Sequence, residues 1–199
     1  MASVNFAKTT KMKIVIIDNY DSFTYNLVHL LEAHGSEVDV VRSDAVELEK
    51  LAEYDKLMLS PGPGLPGDAG SMMAVLAAYA GKMPILGVCL GMQAIVEHFG
   101  GTIYNLQEVK HGVSVQMKVV EREDLLFQEL PEMLEVGLYH SWAVSHDLPD
   151  CLQLTALSEH ETVMALRHKE LDIHGVQFHP ESIMTGQGKK MLQNWVGLW

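Results

Sequence analysis

The first half of the chain repeats a short apolar run, a turn and a helix-forming stretch, and this alternation constrains the fold more than any other feature. The apolar runs read KIVIID, EVDVVR, KLMLS and PILGV, and the helix-forming stretches lie near residues 22–35, 45–51, 70–79 and 90–99. Strands that alternate with helices form parallel sheets with helices on both faces. We therefore predict an α/β fold with an open, mostly parallel sheet that begins near Lys13.

The second half of the chain has a different texture, which starts after Gly100 and Gly101. Its runs SVQMKVVE, MLEVGLYHS, CLQLTALS and TVMALRH are partly alternating and are separated by turn residues. Such runs predict a β-rich antiparallel edge on the sheet. One more buried strand, IHGVQF, follows, and residues 182–195 are predicted to form a closing helix.

Length and linkers indicate a single folded unit. No internal repeat or long polar linker divides the 199 residues, a length that suits one well-covered core. We expect residues 12–199 to form one domain and residues 1–11 to be a frayed N-terminal extension. The longest apolar stretch, residues 85–96, is interrupted by Gln93 and falls short of the ~20 residues that span a bilayer.

The charge balance and the cysteine count exclude several classes of function. The formal net charge is −12, so no basic face is expected for nucleic acid or an anionic membrane. The two cysteines, Cys89 and Cys151, lack the CxxC spacing of a disulfide framework or a thiolate zinc site. We expect a cytoplasmic protein without a metal site, whose ligands are small molecules or other proteins.

Cys89 stands in the string Gly87-Val88-Cys89-Leu90-Gly91, between a buried strand and a helix. This G-x-nucleophile-x-G arrangement is typical of a nucleophile elbow, in which a strained turn presents the side chain at the end of the sheet. The helix N-terminus then favours the thiolate. Burial is the ordinary fate of a free cysteine, but the flanking glycines favour a nucleophile.

The loop GPGLPG at residues 62–67 matches the dinucleotide-binding pattern only superficially. Pro63 and Pro66 remove two backbone N–H groups that a pyrophosphate would need, and no acidic residue follows about 20 positions later. A tight strand-to-helix connection remains open, as does a loop that aims the N–H groups of Gly62 and Gly64 at a negative charge. The loop GQGKK at residues 186–190 is interpreted as helix surface.

A thiol nucleophile requires an imidazole base and an acceptor that orients it. Among the ten histidines, His179 follows the buried strand IHGVQF, so it lies at the strand-end edge expected to present Cys89. Glu181 is close enough in sequence to fold back onto the imidazole. A helix entry with Glu181 and Ser182 in its first turn explains the same residues equally well.

Four motifs in this order, SPGPGLPGDAG, PILGVCLGMQAI, YHS and GVQFHPES, resemble those of the class I (triad) glutamine amidotransferases. The segment IIDNYDSFTYNL is similar to component II subunits of anthranilate synthase and aminodeoxychorismate synthase. The resemblance runs from about Lys13 to the C-terminus. Met92 and Val113 depart from the common pattern, in which His and a basic residue are frequent, but neither belongs to the triad.

The resemblance implies that Cys89 attacks the side-chain amide of L-glutamine, that His179 is general base and then acid, and that Glu181 orients His179. It also implies an oxyanion hole and substrate wall, and a pair of elements that hold the backbone end of glutamine. These residues are Gly62, Pro63, Gly64 and Leu90 for the former, and Gln93, His140 and Ser141 for the latter.

The resemblance also implies a partner, a chorismate-binding synthase subunit (component I) in a hetero-oligomer. Chorismate and magnesium are expected on that partner, and this chain is expected to need no cofactor. Anthranilate synthesis, for tryptophan, is the preferred pathway, and aminodeoxychorismate synthesis, for folate, is the alternative.

Two other classes of protein remain as alternatives. A flavodoxin-like or receiver-type module would explain Asp18 and Asp21 after the first strand, but Ser60 stands where a phosphoacceptor aspartate is required. A solitary cysteine hydrolase of similar fold would explain the elbow, but it leaves the DNYDSF segment without a role.

Overall fold

The computed structural model describes residues 11–197, so the predicted N-terminal extension lies outside the described residues except for Lys11. Nine strands of this part of the chain form a single sheet. The strands are β1 (Lys13–Asp18), β2 (Glu37–Arg42), β3 (Lys56–Leu59), β4 (Ile85–Val88), β5 (Ile103–Val119), β6 (Met133–Val144), β7 (Leu152–Ser158), β8 (Val163–His168) and β9 (Ile173–Val176).

Four α-helices are present in the described part of the chain: α1 (Thr24–Ala33), α2 (Met72–Tyr79), α3 (Leu90–His98) and α4 (Gly188–Val196). Short 3-10 turns span Leu48–Glu53, Pro66–Asp68 and Leu125–Phe127. Between residues 11 and 197, no helix has the length and apolar character needed to cross a membrane.

The sheet combines a parallel and an antiparallel part, and its order is β2-β1-β3-β4-β9-β8-β7-β5-β6. Strands β2, β1, β3, β4 and β9 pair in parallel. The remaining strands, from β8 to β6, continue the sheet with antiparallel pairs. The predicted α/β fold with an antiparallel edge in its second half is confirmed.

The two faces of the sheet carry separate apolar layers, as the alternation along β1 requires. Ile14 packs in the layer that includes Leu31 of α1 and Trp195 of α4. Val15 packs in the opposite layer with Val75 of α2 and residues of α3. Helices therefore cover both faces, which explains why the parallel strands read as continuous apolar runs.

Two local predictions need correction. The helix expected at residues 45–51 is a 3-10 turn at Leu48–Glu53, in which only Leu51 is buried. A segment without an apolar face to bury has little to stabilise an α-helix. Strand β5 begins at Ile103, well before the predicted SVQMKVVE run, and its first part is largely exposed and carries register shifts, so no alternation marks it.

The closing helix also begins later than predicted, at Gly188 and not at residue 182. The residues before it form a compact turn, in which the Ser182 N–H and the Thr185 hydroxyl both donate to the His179 carbonyl, at 3.1 and 2.7 Å. A Cβ on Gly188 would lie 1.8 Å from the Pro180 oxygen. The loop at residues 186–190 is therefore a packed junction that leads into α4, and not helix surface.

Candidate active site

Cys89 occupies a strained turn between β4 and α3. Its backbone angles are φ 53° and ψ −102°, a region that residues with a side chain rarely adopt. The flanking glycines permit the turn: a Cβ on Gly87 would lie 2.4 Å from the backbone of Gly91, and one on Gly91 would lie 2.4 Å from the Leu59 oxygen. The structure therefore contains the predicted elbow, with the thiol at the N-terminus of α3.

Strand register brings the HPE motif to the same edge as Cys89. Strands β4 and β9 are parallel neighbours, with Val88 opposite Val176. The Cys89 N–H donates to the Val176 carbonyl at 2.7 Å. Since parallel strands end at the same edge of a sheet, the residues that follow β9 lie beside the elbow.

His179 and Glu181 form a buried pair at this edge. Nδ1 of His179 donates to Oε1 of Glu181 at 2.7 Å, and the two side chains are 3% and 0% exposed. The His179 N–H donates to the carbonyl of Gly137 on β6 at 3.1 Å. The Tyr139 ring lies edge-on to the imidazole, with ring centres 4.9 Å apart. The imidazole is thus fixed by a carboxylate, its backbone and an aromatic ring.

The electrostatics of His179 favour its protonated form. Burial lowers the pKa of the imidazole, but hydrogen bonding and charge interactions with Cys89 and Glu181 outweigh burial and raise the pKa to about 10. Nε2 of His179 has no well-aligned hydrogen-bond partner among residues 11–197. Catalytic hydrogen bonds are often poorly aligned until substrate binds. A proton on this imidazole is available at neutral pH beside the sulfur, an arrangement suited to acyl transfer.

A cavity of about 120 Å³ opens at Cys89. It brings together all seven residues that the sequence predicts for glutamine binding. The lining consists of Gly62, Pro63, Gly64, Cys89, Leu90, Gln93, Tyr139, His140, Ser141 and Trp142. The structure places the predicted wall and the predicted holding residues around one space, next to the predicted nucleophile.

Asn19 holds the glycine loop in position against the end of the sheet. Its backbone N–H donates to the Ser60 hydroxyl at 2.9 Å, and its side-chain amide donates to the Ser60 carbonyl at 3.0 Å. A Cβ on Gly62 would lie 2.5 Å from the Asn19 Cβ. This close approach is the physical reason for a glycine at position 62, and it is unrelated to dinucleotide binding.

Trp142 is a site residue that sequence reasoning missed. Its carbonyl accepts from Nε2 of Gln93 at 2.9 Å and from Nδ1 of His140 at 2.8 Å. Burial lowers the pKa of His140 to about 4, so this imidazole is neutral. Trp142 follows the YHS string directly, and extending that motif by one residue would have found it.

A second cavity, of about 340 Å³, also reaches Cys89. It shares Gly62, Pro63, Cys89 and Tyr139 with the first cavity. Its other lining residues are Tyr20, Asp21, Ser22, Phe23, Pro61, His111 and His179. The DNYDSF segment, for which the solitary hydrolase had no explanation, therefore forms one wall of a space that contains both Cys89 and His179.

Other reactive groups lie elsewhere in the fold. Cys151 is half-buried and free, outside both cavities. No group of three or more His, Cys, Asp or Glu side chains within residues 11–197 is arranged to hold a metal ion. His174 lies between Asp124 and Asp172, at 3.3 and 3.4 Å, in an ion-pair cluster apart from the elbow.

Comparison with known proteins gives consistent results over nearly the whole chain. The family model of glutamine amidotransferase class-I matches residues 15–198. Anthranilate synthase component 2 of Pseudomonas aeruginosa is 43% identical, over 92% of this chain and 94% of that protein. Aminodeoxychorismate synthase component 2 of Escherichia coli is 42% identical, over 92% of this chain and 98% of that protein.

A solved structure has the same fold. It comes from Thermoplasma acidophilum and is described as one subunit of a GMP synthase. It superposes with a TM-score of 0.85 at 28% identity, and the match covers 94% of each chain.

Proposed function

The chain belongs to the class-I glutamine amidotransferases, and we propose that it is the glutaminase subunit of an anthranilate synthase. In this proposal it releases ammonia from L-glutamine for a chorismate-using synthase chain. The observation that carries the proposal is the position of Cys89, at a nucleophile elbow beside the His179–Glu181 pair and on the border of two cavities.

The first half of the reaction forms a thioester. The Cys89 thiolate adds to the side-chain amide carbon of glutamine, and the C–N bond breaks as His179 gives its proton to the departing nitrogen. The products are ammonia and a glutamyl thioester on Cys89. The raised pKa of His179 supports its role as the acid, because the imidazole is protonated at neutral pH.

The tetrahedral intermediate carries a negative oxygen that needs hydrogen-bond donors. Leu90 is the first residue of α3, so its N–H has no acceptor within the helix, and it borders the substrate cavity. Gly62 and Gly64 border the same cavity. We assign these N–H groups to the oxyanion hole, with Pro63 as part of the wall.

Hydrolysis of the thioester completes the cycle. Water adds to the thioester carbon as His179, now neutral, accepts a proton from the water. The C–S bond then breaks, which frees glutamate and regenerates the thiolate and the imidazolium. Glu181 keeps the imidazole oriented through both halves of the reaction, and Gln93, His140 and Ser141 hold the backbone end of the substrate.

The second cavity supports the proposal of a partner chain. Ammonia formed at Cys89 can leave through a space that touches both Cys89 and His179 without passing the glutamine site. Asp21 and His111 line this space, and Tyr20 at its rim is 53% exposed. We propose that the synthase chain docks over this opening, and that chorismate and magnesium bind on that chain, in the cytoplasm.

The choice of pathway rests on a small difference. The P. aeruginosa and E. coli relatives, one from each pathway, are 43% and 42% identical to this chain. Aminodeoxychorismate synthesis is therefore the second candidate, and a chain that serves both partners would satisfy both similarities. Purification of the native complex, with the partner identified by mass, distinguishes these outcomes.

The proposed activity is tested by ammonia release from glutamine, with and without the purified partner. We expect release that increases when the synthase chain is added. Hydrolysis of other amides or esters, with no effect of any synthase chain, would favour a solitary cysteine hydrolase. Absence of ammonia release under both conditions would contradict the proposal.

A further inference from the structure

Gln177 is a fully buried residue of the HPE motif to which the mechanism above gives no role. Its side-chain Nε2 lies 3.5 Å from Sγ of Cys89, within hydrogen-bond distance for a sulfur acceptor. Gln177 borders neither cavity. It therefore contacts the reacting atom from inside the protein, and not from the substrate side.

The backbone explains why Gln177 reaches the sulfur. Val88 and Val176 are paired in register, so Cys89 and Gln177 are the next residues on two neighbouring parallel strands. The Gln177 N–H donates to the carbonyl of Met164 on β8 at 2.8 Å, which ties this residue to the sheet on its other side. The donor is thus positioned by the sheet and not by a loop.

The orientation of the Gln177 amide follows from a chain of hydrogen bonds. The Trp142 carbonyl can only accept, so the atom of Gln93 that lies 2.9 Å from it is the nitrogen. This nitrogen also lies 3.1 Å from the Gln177 side chain, which must present its oxygen there. The Gln177 nitrogen, and hence its N–H, is therefore turned towards Cys89.

We propose that Gln177 is a further catalytic residue, which donates a hydrogen bond to Cys89 Sγ and stabilises the thiolate. A hydrogen bond to a charged acceptor is stronger than one to a neutral acceptor, so the donor favours thiolate over thiol. This inference deepens the proposed function, since it rests on Cys89 as the nucleophile. It adds an internal donor to the stabilisation supplied by the helix N-terminus and by His179.

Gln93 has a consequent second role. It borders the substrate cavity, and both of its amide hydrogens are directed to Trp142 and Gln177. Its oxygen is then the atom left for a substrate donor. Gln93 thereby positions Gln177, and it links the glutamine site to the nucleophile through a single hydrogen bond.

The test measures the pH dependence of thiol reactivity in Gln177→Met, without any glutamine present. Iodoacetamide labels the protein across a range of pH, and mass spectrometry follows Cys89 and Cys151 separately. Methionine keeps the length and burial of the side chain but removes the N–H donor. The matched control is Gln153→Met, because Gln153 also holds a two-sided hydrogen-bonded amide, with Glu121 and Arg167, away from the site.

We expect the midpoint of Cys89 alkylation to rise by about one pH unit in Gln177→Met, which makes labelling about tenfold slower below the midpoint. Cys151 and the Gln153→Met control are expected to keep their wild-type profiles. If Gln177→Met does not fold, as judged by thermal unfolding, Gln177→Asn replaces it, since asparagine keeps a polar amide but is too short to reach both Gln93 and Cys89.

An unchanged Cys89 midpoint in a folded Gln177 variant would overturn the proposal and leave Gln177 as a structural brace. That result would not affect the proposed function, which is measured separately as glutamine-dependent ammonia release by the wild-type chain.

Discussion

Nδ1 of His179 lies 2.7 Å from Oε1 of Glu181, and both side chains are buried. Because a carboxylate can only accept, the hydrogen of this bond belongs to Nδ1, and Nε2 is the nitrogen that can exchange a proton with Cys89 or the substrate. Glu181 therefore selects the useful tautomer of His179 and maintains its orientation, without contacting the substrate cavity itself.

The members of this triad are expected to contribute unequally. Loss of the base removes the proton transfer, whereas loss of the carboxylate removes only its orientation. By analogy with a protease triad, His179→Ala is expected to lower kcat by about 10⁶-fold and Glu181→Ala by about 10⁴-fold. Glutaminase assays with the partner measure both. Full activity in folded His179→Ala would exclude this residue from the mechanism.

Two glycines of the loop at residues 62–67 form a matched pair for a second test. A Cβ on Gly62 would lie 2.5 Å from the Asn19 Cβ, whereas one on Gly67 would have no neighbour within 4 Å. Gly62→Ala is expected to displace the loop and lower kcat/KM by about 100-fold, the cost of a misplacement of about 1 Å. Gly67→Ala is expected to keep wild-type kinetics. Equal effects of the two changes would contradict the assignment of Gly62 to the site.

Asp21 combines a local structural bond with a position on the second cavity. Its Oδ1 accepts from the Phe23 N–H at 2.7 Å, near the start of α1, so the capping interpretation is partly correct. Asp21→Lys is expected to reduce the stimulation of glutaminase by the partner, because it reverses the charge at the proposed opening.

The control for Asp21 is Asp21→Asn, which keeps the acceptor but removes the charge. Partner-stimulated glutaminase and thermal unfolding are measured for both variants. If Asp21→Lys lowers stability by the ~1 kcal/mol of a lost cap and partner stimulation stays at the wild-type level, the residue has a capping role alone.

His174 gives a prediction about stability and pH that is independent of catalysis. Burial lowers the pKa of its imidazole, but hydrogen bonds and charges of Asp124 and Asp172 outweigh burial and raise the pKa from 6.5 to about 9. The folded state thus holds a proton that the unfolded chain releases near pH 6.5. The stabilisation is complete below pH 6.5 and is lost as the pH rises through about 9.

The free energy of unfolding is therefore expected to fall between pH 6.5 and 9 by about 3 kcal/mol more in the wild type than in His174→Gln. Chemical denaturation at a series of pH values measures this difference. Parallel pH profiles for the two proteins would show that His174 carries no proton specific to the folded state.

Sequence patterns predicted the parallel part of the fold well because its strands are buried on both faces. The runs KIVIID and PILGV correspond to β1 and β4, and the helix after Cys89 begins at the expected residue. The exposed first part of β5 has no such pattern, because solvent accepts any polar side chain there. Its existence depends on pairing with β6, which is a tertiary property.

The candidate site was predicted in outline and missed in its connections. Individual motifs identify Cys89, His179 and Glu181, and the cavity contains all the residues expected to bind glutamine. The roles of Trp142 and Gln177 depend on a backbone carbonyl and on strand register. Neither is visible in residue types along the chain. The late start of α4 has the same origin, because the packing of Gly188 on Pro180 is a contact within the folded turn.

The central claim is that the chemistry of this chain ends at ammonia, and the most direct test is Cys89→Ala combined with the synthase partner. The substitution is small and is expected to preserve the complex. Product formation is measured with glutamine and, separately, with an ammonium salt at a pH that supplies free ammonia. We predict that the glutamine-dependent reaction is lost and that the ammonium-dependent reaction remains at the wild-type rate. Loss of both reactions from an intact complex would contradict the proposed division of labour.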